Sequence, residues 1–192
     1  MKKRKYLIFI LLGGMLVFIS CMSAKPVEQS AQMSYEIDRW LCGILIDGYE
    51  TLPEARQEAA AVNLDFWVRK TAHGIEYCAL GILLFLAAGF LARKQKKRCA
   101  AAFLTGTAFA ALDEFHQYFV PGRSCELRDM LIDTTGVTAG ILLAVAAGYL
   151  NRSKKRTKKR RLTESGRSRF FLLQKKKEAE YAIRTGKAKE TD

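Results

Sequence analysis

The chain has 192 residues, 49% hydrophobic and 27% charged, with 32 Lys and Arg against 19 Asp and Glu and a formal net charge of +13. That length fits one domain, and a mean hydropathy of −0.04 resembles a soluble protein, but the average hides a strong segregation. The form of the charge argues against nucleic acid: phosphate-binding faces interleave basic residues with aromatics and polar donors, whereas here short basic blocks at Lys2–Lys5, Arg93–Arg98 and Arg152–Arg161 flank apolar runs.

Four apolar runs follow in chain order, at residues 6–22, 71–92, 99–120 and 130–150. The last three approach the ~20 residues that a helix needs to cross ~30 Å of hydrocarbon. The first is short, with a basic start and small residues near Ser20 and Ala24, so it also fits a secretory signal peptide. An uncleaved helix fits better, because it completes an even topology consistent with the charges.

Cytoplasmic loops of membrane proteins are enriched in Lys and Arg. With the N-terminus inside, the N-terminal block, the 93–98 loop and the chain after Leu150 carry 4, 5 and 16 basic residues, 25 of the total 32. Only 5 of the 19 acids fall on that side. The expected architecture is therefore an all-α integral membrane protein: four transmembrane helices, N- and C-termini cytoplasmic, and short interfacial helices in the first outer segment, residues 25–70. Residues 1–150 form the membrane domain and 151–192 a basic cytoplasmic tail.

In the outer segment Ile37, Trp40, Leu41, Ile44 and Leu45 recur at helical spacing among Glu36, Asp38 and Asp47, which predicts a helix lying in the interface with Trp40 at headgroup depth. Thr51-Leu52-Pro53-Glu54 is a helix start, predicting a second short helix through Val62. Phe66 and Trp67 follow as interfacial anchors before the second span.

The costly residues come next. Arg69, His73, Glu76 and Leu80 are spaced four, three and four, and so share one helical face beside Lys70 and Tyr77. Asp113, His116 and Gln117 share a face near the end of the third span, with Glu114 about a third of a turn away. The fourth span opens Arg128-Asp129 and continues to Asp133. An intramembrane Asp costs roughly 2.5–3.5 kcal/mol at mid-helix on insertion scales, so Glu76, Asp113, Glu114 and Asp133 should face one another inside the bundle, paired with Arg69, Lys70, Arg123, Arg128 or the two histidines. Such residues read as a functional site; a structural network fastening the outer helix ends is the alternative. Pro121-Gly122-Arg123 makes a tight turn that aims Arg123 at the acids, either to bind an anionic headgroup or to neutralise Asp113 or Asp129. Gly136-x-x-x-Gly140 allows close helix packing.

Two blocks, Arg69-Lys70-x-x-His73-x-x-Glu76-Tyr77-x-x-Leu80-Gly81 and Asp113-Glu114-x-x-Gln117-x-x-x-Pro121-Gly122-Arg123, precede a third, Arg128-Asp129-x-x-x-Asp133-x-x-Gly136. With Phe18-x-x-x-x-Ser23, Glu28-Gln29-Ser30 and Ser34, they make the chain resemble the VanZ-like family over roughly residues 5–150. Gly74 departs from the pattern, standing where the family has an aromatic. The resemblance implies a small multi-pass protein of the bacterial cell membrane with an envelope role, the founding member being linked to teicoplanin resistance; no reaction comes with it.

Three mechanisms follow from the residues. The first is binding of a membrane lipid or lipid-linked cell-wall precursor, through its anionic headgroup, at Arg69, Lys70, His73, Glu76, Tyr77, Asp113, Glu114, Gln117, Arg123, Asp129 and Asp133. The second is a membrane-embedded enzyme acting on that headgroup through Glu76, Asp113, His73 and His116 as candidate catalytic groups. The third, ion transport, lacks a polar relay in the inner halves of the spans. His73 and His116 with the acids offer metal donors, but no short His-x-x-x-His or similarly dense spacing exists, so no metal and no cofactor is expected. The tail should hold anionic inner-leaflet lipid at about 1 kcal/mol per basic residue near the surface, with Phe170–Leu173 dipping into that interface and a short helix at Lys175–Arg184. A Cys42–Cys125 disulfide fits an oxidising compartment, but five cysteines without a framework favour free thiols.

Overall fold

Proline places the breaks in this chain. Only three prolines occur, and in the computed structural model, which describes residues 2–184, each stands at a boundary between helices. Helix α1 spans Lys2–Ser23 and α2 Val27–Leu45, with Pro26 at its N-cap. A 3-10 turn at Tyr49–Thr51 leads to Pro53, the N-cap of α3, Glu54–Ala88. Helix α4 covers Gln95–Gln117, and α5 runs Leu127–Arg184 beyond the Pro121 turn. No strand occurs among the described residues.

The boundaries differ from expectation in three places. The short helix expected to end near Val62 and the span expected at 71–92 are one 35-residue helix. Neither Pro nor Gly lies between Glu54 and His73, so nothing interrupts the hydrogen-bond ladder. At 1.5 Å per residue it is about 52 Å long, well beyond ~30 Å of hydrocarbon. It ends at Ala88, before the expected Ala92, in a loop where the Arg98 Nε donates to the Ala92 carbonyl at 2.8 Å. The short helix expected at Lys175–Arg184 is part of α5; residues 185–192 of the tail lie outside the described residues.

Among the described residues three helices are long and apolar enough to cross a membrane: Lys2–Ser23, Glu54–Ala88 and Leu127–Lys158. Helix α4 is not one of them, because Lys96, Lys97 and Arg98 at one end and Asp113 and Glu114 at the other bracket a middle rich in Ala, Thr and Gly. The chain divides into two compact units that part between Val145 and Ala146. In the second unit, helix runs as far as Arg184 among the described residues, with Phe170, Phe171, Leu172 and Leu173 exposed.

The core of the first unit joins Ile19 of α1, Tyr77, Leu80, Leu84 and Phe85 of α3, Ala102 and Ala110 of α4, and Val137 and Ile141 of α5. Where lipid is as apolar as leucine, close approach rather than water exclusion holds helices together, and glycine supplies it. A Cβ on Gly136 would stand 2.6 Å from the Gly74 carbonyl oxygen, and one on Gly140 would overlap the Cys78 carbonyl. Across the same seam Gly81 faces the Val137 backbone, and Gly106 of α4 meets the Val137 side chain. The Gly136-x-x-x-Gly140 pair therefore seats α5 on α3 within the chain.

Helix α2 packs with its more polar face inward. Ser34, Asp38 and Cys42, four apart, are buried, while Met33, Ile37, Trp40 and Ile44 are exposed. The Ser34 hydroxyl donates to Asp65 of α3. Burial first, and then the Asp65 charge, raise the Asp38 carboxyl above its ordinary value of 3.8, and its Oδ1 has no partner. An acid with a raised folded-state pKa stabilises the fold below its ordinary value, and that contribution is lost as pH rises through the folded value. Asp38→Asn should therefore slow amide exchange in residues 27–64 at pH 7 and flatten its dependence between pH 4 and 8; an unchanged pH profile would sink this assignment. The five cysteines are free, with Cys42 buried in α2 and Cys125 exposed.

Candidate functional site

The polar residues meet at one end of the bundle. Helix periodicity brings the groups of each element to one side, and the glycine seam fixes their spacing between elements. On α4, Ala102, Gly106, Ala110, Asp113 and Gln117 are buried along one stripe: the small residues admit the neighbours, and the polar pair occupies the last turn.

Asp113 is the hub. Its Oδ2 accepts from the Ser23 hydroxyl of α1 at 2.7 Å, the Tyr77 hydroxyl of α3 at 3.2 Å and the Gln117 amide at 3.2 Å, all buried. The same Gln117 amide reaches the Ser23 oxygen at 3.3 Å, and its Oε1 accepts from Arg123 Nη1 at 3.1 Å. Arg123 Nε donates to the Lys25 carbonyl at 3.0 Å. Gly122 holds φ +75°, the left-handed conformation that the turn before Arg123 requires.

Next to this hub lies a pocket of about 190 Å³, lined by Arg69, Lys70, His73, Glu114, Gln117, Arg123, Asp129 and Asp133, with Val27 and Phe66 on its wall. Lys70 of α3 pairs with Asp129 of α5. Its ammonium lies 5.5 Å from the Phe66 ring centroid, with the Arg128 guanidinium 5.3 Å from the same ring. Arg69 pairs backward along its own helix with Asp65 at 2.6 Å, leaving its buried Nε without a partner. His73 Nδ1 and Asp133 Oδ1 stand 4.0 Å apart, longer than a hydrogen bond. Glu114 Oε1 accepts the Glu126 backbone N–H at 2.6 Å, and its Oε2 is buried with no partner.

The site residues named from sequence distribute unevenly. Arg69, Lys70, His73, Glu114, Gln117, Arg123, Asp129 and Asp133 line the pocket; Asp113 and Tyr77 join it through Gln117. Glu76 is half-buried with Oε2 unpartnered, and it is not part of the lining. His116 is exposed and outside the pocket, because on a helix it turns about 100° from its neighbour Gln117. Arg123 does not pair with Asp113 or Asp129 as one sequence reading had it: among the described residues no carboxylate lies in ion-pair contact with it, and Lys70 holds Asp129. Burial first, and then the nearby Arg69, lower the Arg123 pKa, against the pull of Asp113, Glu114 and Asp129. Sequence reasoning quoted Ser23 only as part of the family resemblance and not as a site residue, and it missed the Lys25 carbonyl as a member of the network.

His73, Asp113 and Asp133 come together from three helices, each offering a ligand atom within 4.8 Å of the others. Sequence spacing does not reveal this trio, because its members lie 40 and 20 residues apart.

No curated protein and no solved structure is similar enough to give a match. Residues 7–148 match the family described as VanZ/LLP1, a stretch that contains every residue of the pocket lining and covers well over half of the chain, which therefore belongs to the VanZ/LLP1 family and is a VanZ-type membrane protein.

Proposed function

We propose that this protein is a multi-pass protein of the bacterial cell membrane, with four crossings and both termini cytoplasmic, that binds the anionic headgroup of a membrane lipid or lipid-linked cell-wall precursor in the pocket around Arg123. Through that binding it contributes to glycopeptide resistance of the teicoplanin type or to envelope homeostasis. The observation that carries this reading is Arg123: a guanidinium on the pocket lining whose hydrogen bonds, among the described residues, go to neutral oxygens, those of Gln117 and Lys25. Arg is suited to phosphate and carboxylate because its planar fork donates two parallel bonds. Arg69 and Lys70 on the same lining add positive charge.

Size narrows the occupant. Pockets for drug-sized ligands run about 300–1,000 Å³; about 190 Å³ admits a headgroup and leaves a whole glycopeptide outside. Any effect on such an antibiotic then runs through its lipid-linked target. Two features support the fourth crossing: α4 is 23 residues long, about 34 Å, and its charges sit at its two ends. The exposed basic residues after Leu150 suit anionic inner-leaflet lipid. The enzymatic reading is the weaker one, because three of its four candidate groups, Glu76, Asp113 and His116, lie off the pocket lining.

Short-chain phosphatidic acid titrated into the detergent-solubilised protein tests the binding. Wild type should gain thermal stability with phosphatidic acid and not with phosphatidylcholine. In Arg123→Gln, loss of a charge-assisted bond worth about 1.5–3 kcal/mol should weaken binding at least about tenfold, with the unfolding temperature of the lipid-free protein nearly unchanged. Equal binding by the variant, or equal binding of the two lipids, would overturn the proposal.

A further inference from the structure

We propose that His73, Asp113 and Asp133 bind one divalent first-row metal ion, of the Zn²⁺ or Mn²⁺ class. The donor atoms already lie within 4.8 Å of one another. With metal–ligand bonds of about 2.0–2.2 Å, neighbouring donors sit about 3 Å apart, so loading draws the three side chains together by up to about 2 Å.

Charge is the first argument. Asp113 is 4% exposed and Asp133 2%, and buried carboxylates are ordinarily paired or bound to metal. Among the described residues neither has a lysine or arginine partner: Asp113 accepts from the neutral donors Ser23, Tyr77 and Gln117, and Asp133 stands 4.0 Å from His73. Lys70 pairs with Asp129 and Arg69 with Asp65, and Arg123 donates to Gln117 and the Lys25 carbonyl rather than to either aspartate. A divalent ion between the two aspartates supplies the missing positive charge.

A separate observation comes from Glu114. It is 3% exposed, it lines the pocket that His73 and Asp133 also line, and its Oε2 is buried without a partner. Buried polar atoms are satisfied in folded proteins, and an orphan requires an explanation. An ion, or water bound to it, in this pocket provides the partner.

Donor chemistry selects the metal. One imidazole and two carboxylates without a thiolate suit Zn²⁺ or Mn²⁺ and disfavour Cu(I) or an iron–sulfur centre. Three protein ligands leave at least one coordination position open, and His73 and Asp133 border the pocket. The hydrogen bonds from Ser23, Tyr77 and Gln117 to Asp113 are the outer-shell supports that orient a metal-binding carboxylate. The glycine seam between α3 and α5 fixes the separation of His73 from Asp133 independently of the ion. This inference goes beyond headgroup binding and does not rest on it, since the metal alone is the probe.

The test uses the full-length, untagged protein in neutral detergent, stripped with chelator, incubated with ZnCl₂ or MnCl₂ alone, desalted and assayed for metal by mass spectrometry. Wild type should retain one ion per chain and unfold at a higher temperature when loaded. Asp133→Asn and His73→Gln should each bind at least about tenfold more weakly and show no metal-dependent shift, while matching the wild-type elution and metal-free unfolding temperature. Arg123→Gln should keep the ion while losing phosphatidic acid, so that failure of the headgroup reading leaves this one standing. Wild type that retains no more ion than the two variants would overturn the proposal. So would stoichiometric binding to both variants, which would place the ion elsewhere.

Discussion

Gly140→Val is expected to prevent α5 from docking on α3 and to lower stability by about 3 kcal/mol, the upper end of what overpacking costs. The valine Cβ would overlap the Cys78 carbonyl, and its surroundings are the backbone of Cys78 and Ile82, so no side chain can rotate away to make room. Gly136→Val meets the Gly74 carbonyl at 2.6 Å and the Tyr77 Cβ at 3.0 Å and should behave alike. The defect should spread to the site, because the Lys70–Asp129 and His73–Asp133 pairs straddle this seam. Gly13→Ala and Gly14→Ala are the controls: an added Cβ there meets nothing within 4 Å, and alanine's better helix propensity should leave stability equal or higher by up to about 1 kcal/mol. Unfolding in a graded SDS series, followed by loss of helical signal, separates the two groups. A Gly140→Val protein that unfolds with the controls would show that the seam is not a tight contact.

Asp113 should give the second large effect, and the choice of substitution decides what is learned. Asp113→Ala strands the Ser23 and Tyr77 hydroxyl donors and leaves the Gln117 amide with the Ser23 oxygen alone, all buried. Each orphaned buried group costs about 1–3 kcal/mol, and because the three share one acceptor the costs do not simply add. A net loss of about 3–5 kcal/mol is expected. Asp113→Asn keeps an oxygen where Oδ2 stands and removes only the charge, so it should stay within about 1.5 kcal/mol of wild type while losing the metal ion. Thermal unfolding and metal content of the two variants, measured side by side, check both halves. An alanine variant as stable as the asparagine variant would mean that Asp113 does not organise the end of the bundle.

Within one helix the sequence was readable. The spacing of Arg69, His73 and Glu76 identified a polar face on α3, and the Asp113–Gln117 interval identified one on α4, because helical periodicity is a local property. Length was read less well: hydropathy marks where apolar residues stop, whereas a helix stops only where a breaker intervenes, and so the expected two helices before and within the second span are one. Pairings between helices were out of reach. Ser23 and Asp113 are 90 residues apart and Lys70 and Asp129 59, and nothing in their neighbourhoods says which partner each will meet. Spacing put His116 on one face with Asp113 and Gln117, but only those two are buried and His116 is exposed beside them.

At α2 the spacing predicted a helix lying in the interface, and there Ile37, Trp40 and Ile44 are exposed while Asp38 is buried. That setting reverses the usual tolerance map of a helix. Swapping Trp40 for another greasy residue should leave the protein's own contacts untouched, whereas enlarging modest Ser34 or Cys42 should prise the α2–α3 hairpin open. The Val27 end of that hairpin meets the 121–122 turn, so damage done there would be felt at the mouth of the pocket, far along the chain from the altered residue.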